Sequence, residues 1–466
     1  MQLFKITDMK TNLIKYGLLI FSCLLFSCKK FLDINPSTTI VNPSTIKDFE
    51  EMLNSQQLAE CNFFYADLTS DNSFIDDTTR INSYKNAYLW EKDIWLPSDN
   101  DQPYNDVYER ILQLNIVLDK LPTIKLNNSE DEGRRRVILA QAKIHRAWFY
   151  FQLANFYGTD YTSGTSASSL AVPLILVPGQ VERPKRATVK EVYDQIILDL
   201  KDAIATKELP AMGVDIIHPG LAAAHVLLAR TYLYMGDYDN ALKEAENGLA
   251  IKKELLNYKD VKSYPVTLLE QAKNPEVMLA KVGIDEDYYR YFGGFIRGDY
   301  ELLESFGWND KRKELAFPNY SNLFLGREGK MTFNYSIGVP EAMFIKAECL
   351  ARKGQVDGAL ALLNEIRANR LSGTDNLSSN VNDILPLVFS EKRKEFIFHG
   401  GIRLFDLKRM NRDPKLAKTL KRVQRDQWSG EIEKELAELV PNSPRYLMQI
   451  APRIIQNNPA IIPNPR

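Results

Sequence analysis

The chain has little of what most catalytic and metal-binding chemistry is built from. Its 466 residues include four cysteines and four histidines. His145, His218, His225 and His399 stand far apart with no HExxH spacing, and no CxxC pair occurs, so no zinc site is expected. GxSxG, Walker A and GxGxxG motifs are absent, which removes the local signatures of α/β-hydrolases, P-loop enzymes and dinucleotide binders. Four cysteines in so long a chain make no disulfide framework. No run of 18 apolar residues occurs, which excludes a multi-span helical membrane protein. Charge of one sign is lacking as well. The 59 basic and 60 acidic residues leave a formal charge of −1, and no domain-sized basic stretch points to nucleic acid. With 45% hydrophobic residues the chain is neither disordered nor collagen-like. Its length suggests two domains or a repeat scaffold rather than one simple core.

What is present starts with a targeting segment. Lys5, Lys10 and Lys15 precede the apolar stretch from Tyr16 to Phe26. That stretch is too short to cross about 30 Å of hydrocarbon as a helix and fits a signal h-region. It ends in Leu25-Phe26-Ser27-Cys28, the pattern of a lipobox, in which a small residue precedes a thiol that carries diacylglycerol after cleavage. Residues 1–27 are therefore expected to be a signal peptide, Cys28 the lipidated residue, and 28–43 an extended tether that forms the only attachment to a membrane. Cys61 and Cys349 remain. Cys349 lies in an apolar helical pattern and reads as a small buried hydrophobe. A Cys61–Cys349 disulfide is the alternative.

Residues 44–466 read as one mainly α unit. Apolar residues at 3–4 spacing predict helices over 103–121, 129–156 and 188–207. Ser129 with Glu132 fits a capping box. Leu221 to Ala250 resembles a tetratricopeptide unit, with Ala229, Tyr232, Gly236, Tyr238, Ala241 and Ala245 in place. Small residues let two helices approach closely, and Gly236 relieves the turn between them. A second copy runs from Pro340 to Arg370 around Gly354. The expected architecture is a tetratricopeptide-like helical scaffold over about 44–250 and 336–415. A loop-rich, ligand-binding insertion occupies about 251–335, and a Pro-rich tail over 441–466 is expected to lie extended on the surface.

The insertion is the best functional feature. From Tyr258 to Tyr335 there are 15 aromatic residues, dense around Tyr288-Tyr289-Arg290-Tyr291. Sugars stack apolar C–H faces on such rings and present hydroxyls to Asp, Asn and Arg; peptide side chains use the same rings. The competing reading is a satellite core beneath the insertion. The phenylalanines are assigned to core, and Tyr288, Tyr289, Tyr291 and Trp308 to the surface. Glu391 and Glu395 share a helix face, and the basic residues between them favour a solvated or salt-bridged helix over a catalytic pair.

Several blocks carry a family resemblance that covers nearly the whole mature chain. Cys28 to Pro36 resembles the post-cleavage start of the SusD/RagB family of Bacteroidetes outer-membrane nutrient-binding lipoproteins. Trp95, Tyr104 to Tyr108, Ile111 and Asn115 resemble its first scaffold helix, and Ala140 to Gly158 its long second one. Arg186-Ala187-Thr188-Val189 with Glu191 resembles its connector. Gly401, Arg403, Asp406, Leu407 and Arg409, after Glu391, Arg393 and Glu395, resemble its C-terminal block. His399 stands where an acidic residue is usual, and Lys29 and Lys30 replace the usual acidic run after the lipid-bearing cysteine. The resemblance implies a protein without cofactor, metal or catalysis, lipid-anchored in the outer membrane and facing the cell surface. It would capture an oligosaccharide, or alternatively an oligopeptide, and act as a lid on a SusC-like TonB-dependent β-barrel transporter. By the same resemblance Asp71, Arg80, Trp95 and Asn100 would contact ligand, with Tyr288, Tyr289, Tyr291 and Trp308 completing the site. A surface hydrolase and a purely structural role for the repeats are the remaining readings.

Overall fold

The computed structural model describes residues 43–75, 79, 81–126, 128–162, 164–179, 183–292, 295–318, 322–327, 329–378, 384–426 and 429–466. Cys28, with the expected signal peptide and tether, lies outside them, as does Arg80. Residues 45–466 form one compact unit. Among the described residues no helix is long and apolar enough to cross a membrane.

The unit is mainly α and tetratricopeptide-like. α1 (Ile46–Leu53) starts from a capping box between Thr45 and Asp48. α2 (Phe64–Thr69) and α3 (Ser83–Tyr88) are short. α4 (Gln102–Lys120) begins at Asp101, which accepts the Tyr104 N–H. α5 (Ser129–Tyr157) is capped by Asn128, which accepts the Asp131 N–H; the cap sits one residue before the expected Ser129. Nearly all of α5 beyond Ile138 is buried, so it forms the spine of the core. α6 (Val189–Ile204) starts from a second capping box, Thr188 with Glu191.

α7 (Leu221–Met235) and α8 (Tyr238–Ile251) are the first repeat pair. Gly236 turns between them at φ +82°, a left-handed conformation that costs other L-residues about 1–2 kcal/mol. Ala229, Ala241 and Ala245 are fully buried where the two helices meet, so the backbones approach closely. The second pair is α10 (Val339–Arg352) and α11 (Val356–Arg370), turned by Gly354 at φ +71°. α10 packs directly on α8, so the chain leaves after the first pair and returns to stack the second upon it. α12 (Ile384–Glu395) and α13 (Ile402–Met410) follow and close the scaffold.

The segment between the pairs is tied to the N-terminal part by strands rather than left as free loops. β6 (Val282–Asp285) pairs in parallel with β1 (Glu60–Cys61) and antiparallel with β9 (Met331–Asn334). β7 (Phe295–Gly298) lies between β2 (Ser73–Phe74) and β8 (Leu323–Leu325). α9 (Glu286–Phe292) joins the two sheets.

Two features depart from expectation. A β-hairpin, β11 (Leu420–Arg425) with β12 (Ile432–Leu439), follows the scaffold. It is anchored by Arg422, which donates to the carbonyls of Leu68, Ser70, Ser73 and Tyr88 and lies over the Tyr88 and Trp90 rings. The Pro-rich tail is not laid on the surface. It contains a helix over Pro452–Asn457 and buries Tyr446, Met448, Ile450 and Ile461. Asn464 donates to the carbonyls of Tyr157 and Met448, which locks the tail against the end of α5. The thiols of Cys61 and Cys349 are both free and buried, so no disulfide links them.

Candidate ligand-binding site

The aromatic residues of the insertion reach across to the N-terminal segment and build a column of rings. Trp95 packs on Tyr65 at 5.2 Å between centroids, Tyr65 stacks on Tyr84 at 4.8 Å, and Tyr84 meets Tyr288 edge-on at 5.2 Å. Phe64 closes on Tyr288 at 4.7 Å and stacks on Phe333 at 5.0 Å. Such pairs add about 0.5–1.5 kcal/mol each beyond the area they bury. Asp285 fixes the column from the polar side. Its carboxylate accepts the Tyr84 hydroxyl at 2.9 Å, the Asn62 amide at 2.9 Å and the Tyr288 N–H at 2.6 Å. Burial pushes this carboxyl above its usual value, and the three donors hold it back.

Two expected site residues therefore belong to the core. Tyr288 is 2% exposed and packs against the rings of Phe64 and Tyr84. Trp95 is 6% exposed and gives its indole N–H to the Gln449 carbonyl. Asp71 is buried too, held by Arg403 at 2.7 Å and Lys418 at 2.8 Å, with Arg393 nearby. Burial alone would raise its carboxyl, but the three cations outweigh that and hold it well below the usual carboxylate range. A carboxylate buried and paired in this way is part of the interior rather than of an open surface. The structure thus brings Trp95 and Tyr288 into one ring column, but beneath the surface.

The other expected residues lie outside the core. Trp308 is 97% exposed. Tyr289 is half-buried, and the side chain of Tyr291 lies outside the described set. Asn100 is exposed and accepts a 2.9 Å hydrogen bond from Asn105.

Sequence reasoning missed a polar cleft of about 260 Å³ beside the column. Asn62 and Gln102 line it from the scaffold side, with Asp106 and Arg110 on α4. Glu286, Asp287 and Lys330 line it from the insertion. Carboxylates, amides and cations facing one concavity can hold hydroxyl groups by hydrogen bonds. Burial pushes the Cys61 thiol beside it up to about 12, so that thiol stays protonated at neutral pH. Among the described residues no group of three His, Cys, Asp or Glu could hold a metal ion. The one local signal for the cleft is the density of Asp and Glu around the tyrosines of α9; its other wall arrives through the pairing of β1 with β6.

Comparison with known proteins agrees with this architecture. Residues 30–233 match a SusD-like family described as "Starch-binding associating with outer membrane", and residues 339–466 match the SusD family. The chain is 28% identical over 118 residues to a SusD-like protein P2 of Formosa agariphila; the match spans 25% of this chain and about a fifth (21%) of that relative. A SusD superfamily protein from Bacteroides thetaiotaomicron superposes with a TM-score of 0.70 at 23% identity, covering 91% of this chain and 100% of the other. A surface glycan-binding protein A from Bacteroides uniformis gives 0.64 at 17% identity, covering 90% and 99%.

Proposed function

Because the chain belongs to the SusD/RagB family, we propose that it is a surface glycan-binding lipoprotein of the outer membrane, anchored through Cys28, which captures an oligosaccharide without cleaving it. It then delivers the captured chain as a lid over a TonB-dependent β-barrel transporter. The observation that carries this reading is the match of two family profiles across the scaffold and the C-terminal block. The site lies where insertion and scaffold meet. Trp308 and Asn100 offer exposed groups to the ligand, with half-buried Tyr289 beside them, and the polar cleft beside α9 takes hydroxyls. Asp71, Trp95 and Tyr288 act from beneath, as residues that position this surface.

Calorimetry of the protein starting at Lys29, against a panel of oligosaccharides and oligopeptides, tests the reading. Saturable sugar binding that weakens in Trp308→Ala and Asn100→Ala supports it. Binding of peptides alone replaces the ligand class, and turnover of any polymer overturns the non-enzymatic role. In cells, Cys28→Ala should abolish lipid labelling and release the protein from membranes; retention in the membrane would remove the anchor assignment.

A further inference from the structure

The polar cleft has two walls that come from distant parts of the chain. Asn62 and Gln102 stand on the scaffold side, and Glu286 and Asp287 stand on α9. Asp285 sits behind both walls, 1% exposed, and does not itself line the cleft. It is nonetheless bonded to each of them. Its Oδ2 accepts the Asn62 amide at 2.9 Å, and its Oδ1 accepts the Tyr288 N–H at 2.6 Å, which caps the first turn of α9. The pairing of β1 with β6 ends at Cys61 and Gly283, so the Asn62–Asp285 bond holds the walls together just past the end of that ladder. Asn62 passes the constraint on. It also donates to Gln102 Oε1 at 3.4 Å, and its own Oδ1 accepts the Phe64 N–H at 3.1 Å.

From this arrangement we infer that Asp285 is a positioning residue of the capture site: it never meets the sugar, but it sets the spacing of the two walls whose polar groups the sugar bridges. Hydrogen bonds weaken steeply outside about 2.7–3.2 Å, so a binding site has to be held within about 0.5 Å by the groups behind it. A carboxylate suits this place because three donors converge on it: the Tyr84 hydroxyl, the Asn62 amide and the Tyr288 N–H. An amide at 285 offers one acceptor oxygen and turns its NH2 against either Asn62 or the Tyr288 N–H. Turning Asn62 over instead sets its NH2 against the Phe64 N–H. Exchanging the two side chains removes the conflict. The carboxylate then stands at 62 and accepts from the Phe64 N–H and from the amide at 285, whose oxygen still serves Tyr84 and Tyr288.

This inference rests on the glycan-capture reading, and its test separates the two. Wild-type protein, Asp285→Asn, the exchange of Asp285→Asn with Asn62→Asp, and Ala241→Leu are titrated with maltohexaose, cellohexaose, laminarihexaose and xylohexaose. Urea unfolding is recorded for each. Ala241→Leu disturbs a distant repeat contact and so controls for lost stability alone. The expected result is about a tenfold rise in Kd for Asp285→Asn and a return to within about threefold of wild type in the exchange. Ala241→Leu should lower the urea midpoint and leave Kd within about threefold. Wild-type affinity in Asp285→Asn overturns the positioning role and leaves the capture reading standing. An exchange variant that regains the urea midpoint but not the affinity also overturns it, because Asn62 is then a direct contact. Affinity that falls with stability in every variant, Ala241→Leu included, overturns it as well. Should Asp285→Asn not fold, the exchange variant decides alone: wild-type affinity supports the role, and weakened binding overturns it. No binding of any of these sugars by the wild type overturns both readings.

Discussion

The two repeat pairs and the α12–α13 block both hold the scaffold together, but by opposite means. Within each pair the contacts are mainly small and apolar, and the residues that meet lie a few positions apart or in the adjoining helix; a buried ion pair, Arg230 of α7 with Glu341 of α10, joins one pair to the other. In the block, ionised side chains are buried. Glu395 binds Arg370 at 2.7 Å and Arg312 at 3.3 Å, and Glu391 binds Arg312, Arg367 and Lys394. Arg370 extends the network to Glu276. Lys392 joins Asp406, which with Glu348 holds Arg409. Arg393 reaches the insertion at Glu301 and the N-terminal segment at Asn72. One helix of the sequence Glu-Lys-Arg-Lys-Glu thus ties three distant parts of the chain. Apolar packing closes each repeat pair; directional charged contacts fix one part against another, pair against pair as well as scaffold against insertion.

Removing one partner should expose the difference most strongly. Glu395→Gln leaves the Arg370 and Arg312 guanidiniums buried with less compensation and should cost about 3–5 kcal/mol, read from urea unfolding. Tyr288→Ala, which opens the ring column, should cost a similar amount, about 3–5 kcal/mol; if it instead lowers sugar affinity at unchanged stability, Tyr288 is a ligand residue after all. In the repeats the loss should be smaller. Ala241→Leu overpacks the α7–α8 contact and should cost about 1–3 kcal/mol.

Titration should separate further groups. Burial pushes Asp67 and Asp101 up to about 7 from an ordinary 3.8. In that window the folded protein holds protons that the unfolded chain has released, so their contribution to stability falls as pH rises from about 4 to about 7. Burial pushes Lys281 and Lys408 down to about 7 from 10.5. There the unfolded chain holds the extra protons, so stability recovers between about 7 and 10.5. Denaturation midpoints across pH should show both limbs. Asp67→Asn should flatten the lower one, and Lys281→Met the upper one. The smallest effect on stability is expected for Trp308→Ala, within about 0.5 kcal/mol, since its ring touches little of the protein.

The difference between the regions also explains what could be read in advance. The repeat helices, their glycine turns and the capping box at Thr188 rest on residues close in sequence. The helix from Glu391 to Glu395 was read as solvated or salt-bridged, and its ion pairs are formed, but burial replaced solvent. Nothing local shows that, because Arg312, the partner shared by both glutamates, lies 79 and 83 residues away from them. The hairpin after residue 420 leaves little local signal because its strands are rich in charges with few apolar residues; its Arg422 anchor is held by carbonyls 334 to 354 residues earlier in the chain.

By itself the sequence determined the class of fold, the two repeat pairs and the concentration of aromatic rings in one insertion. All of these are carried by composition, spacing or short motifs, and a periodic pattern needs no distant partner to be recognised. Only the tertiary structure decided which rings are surface and which are core. A tyrosine at 288 and a tryptophan at 308 look alike along the chain. One is closed over when β6 pairs with β1 and brings Phe64 and Tyr84 against it, and the other stands almost fully exposed. Burial is a property of what the rest of the chain places nearby, and here that placement is set by contacts more than 200 residues apart.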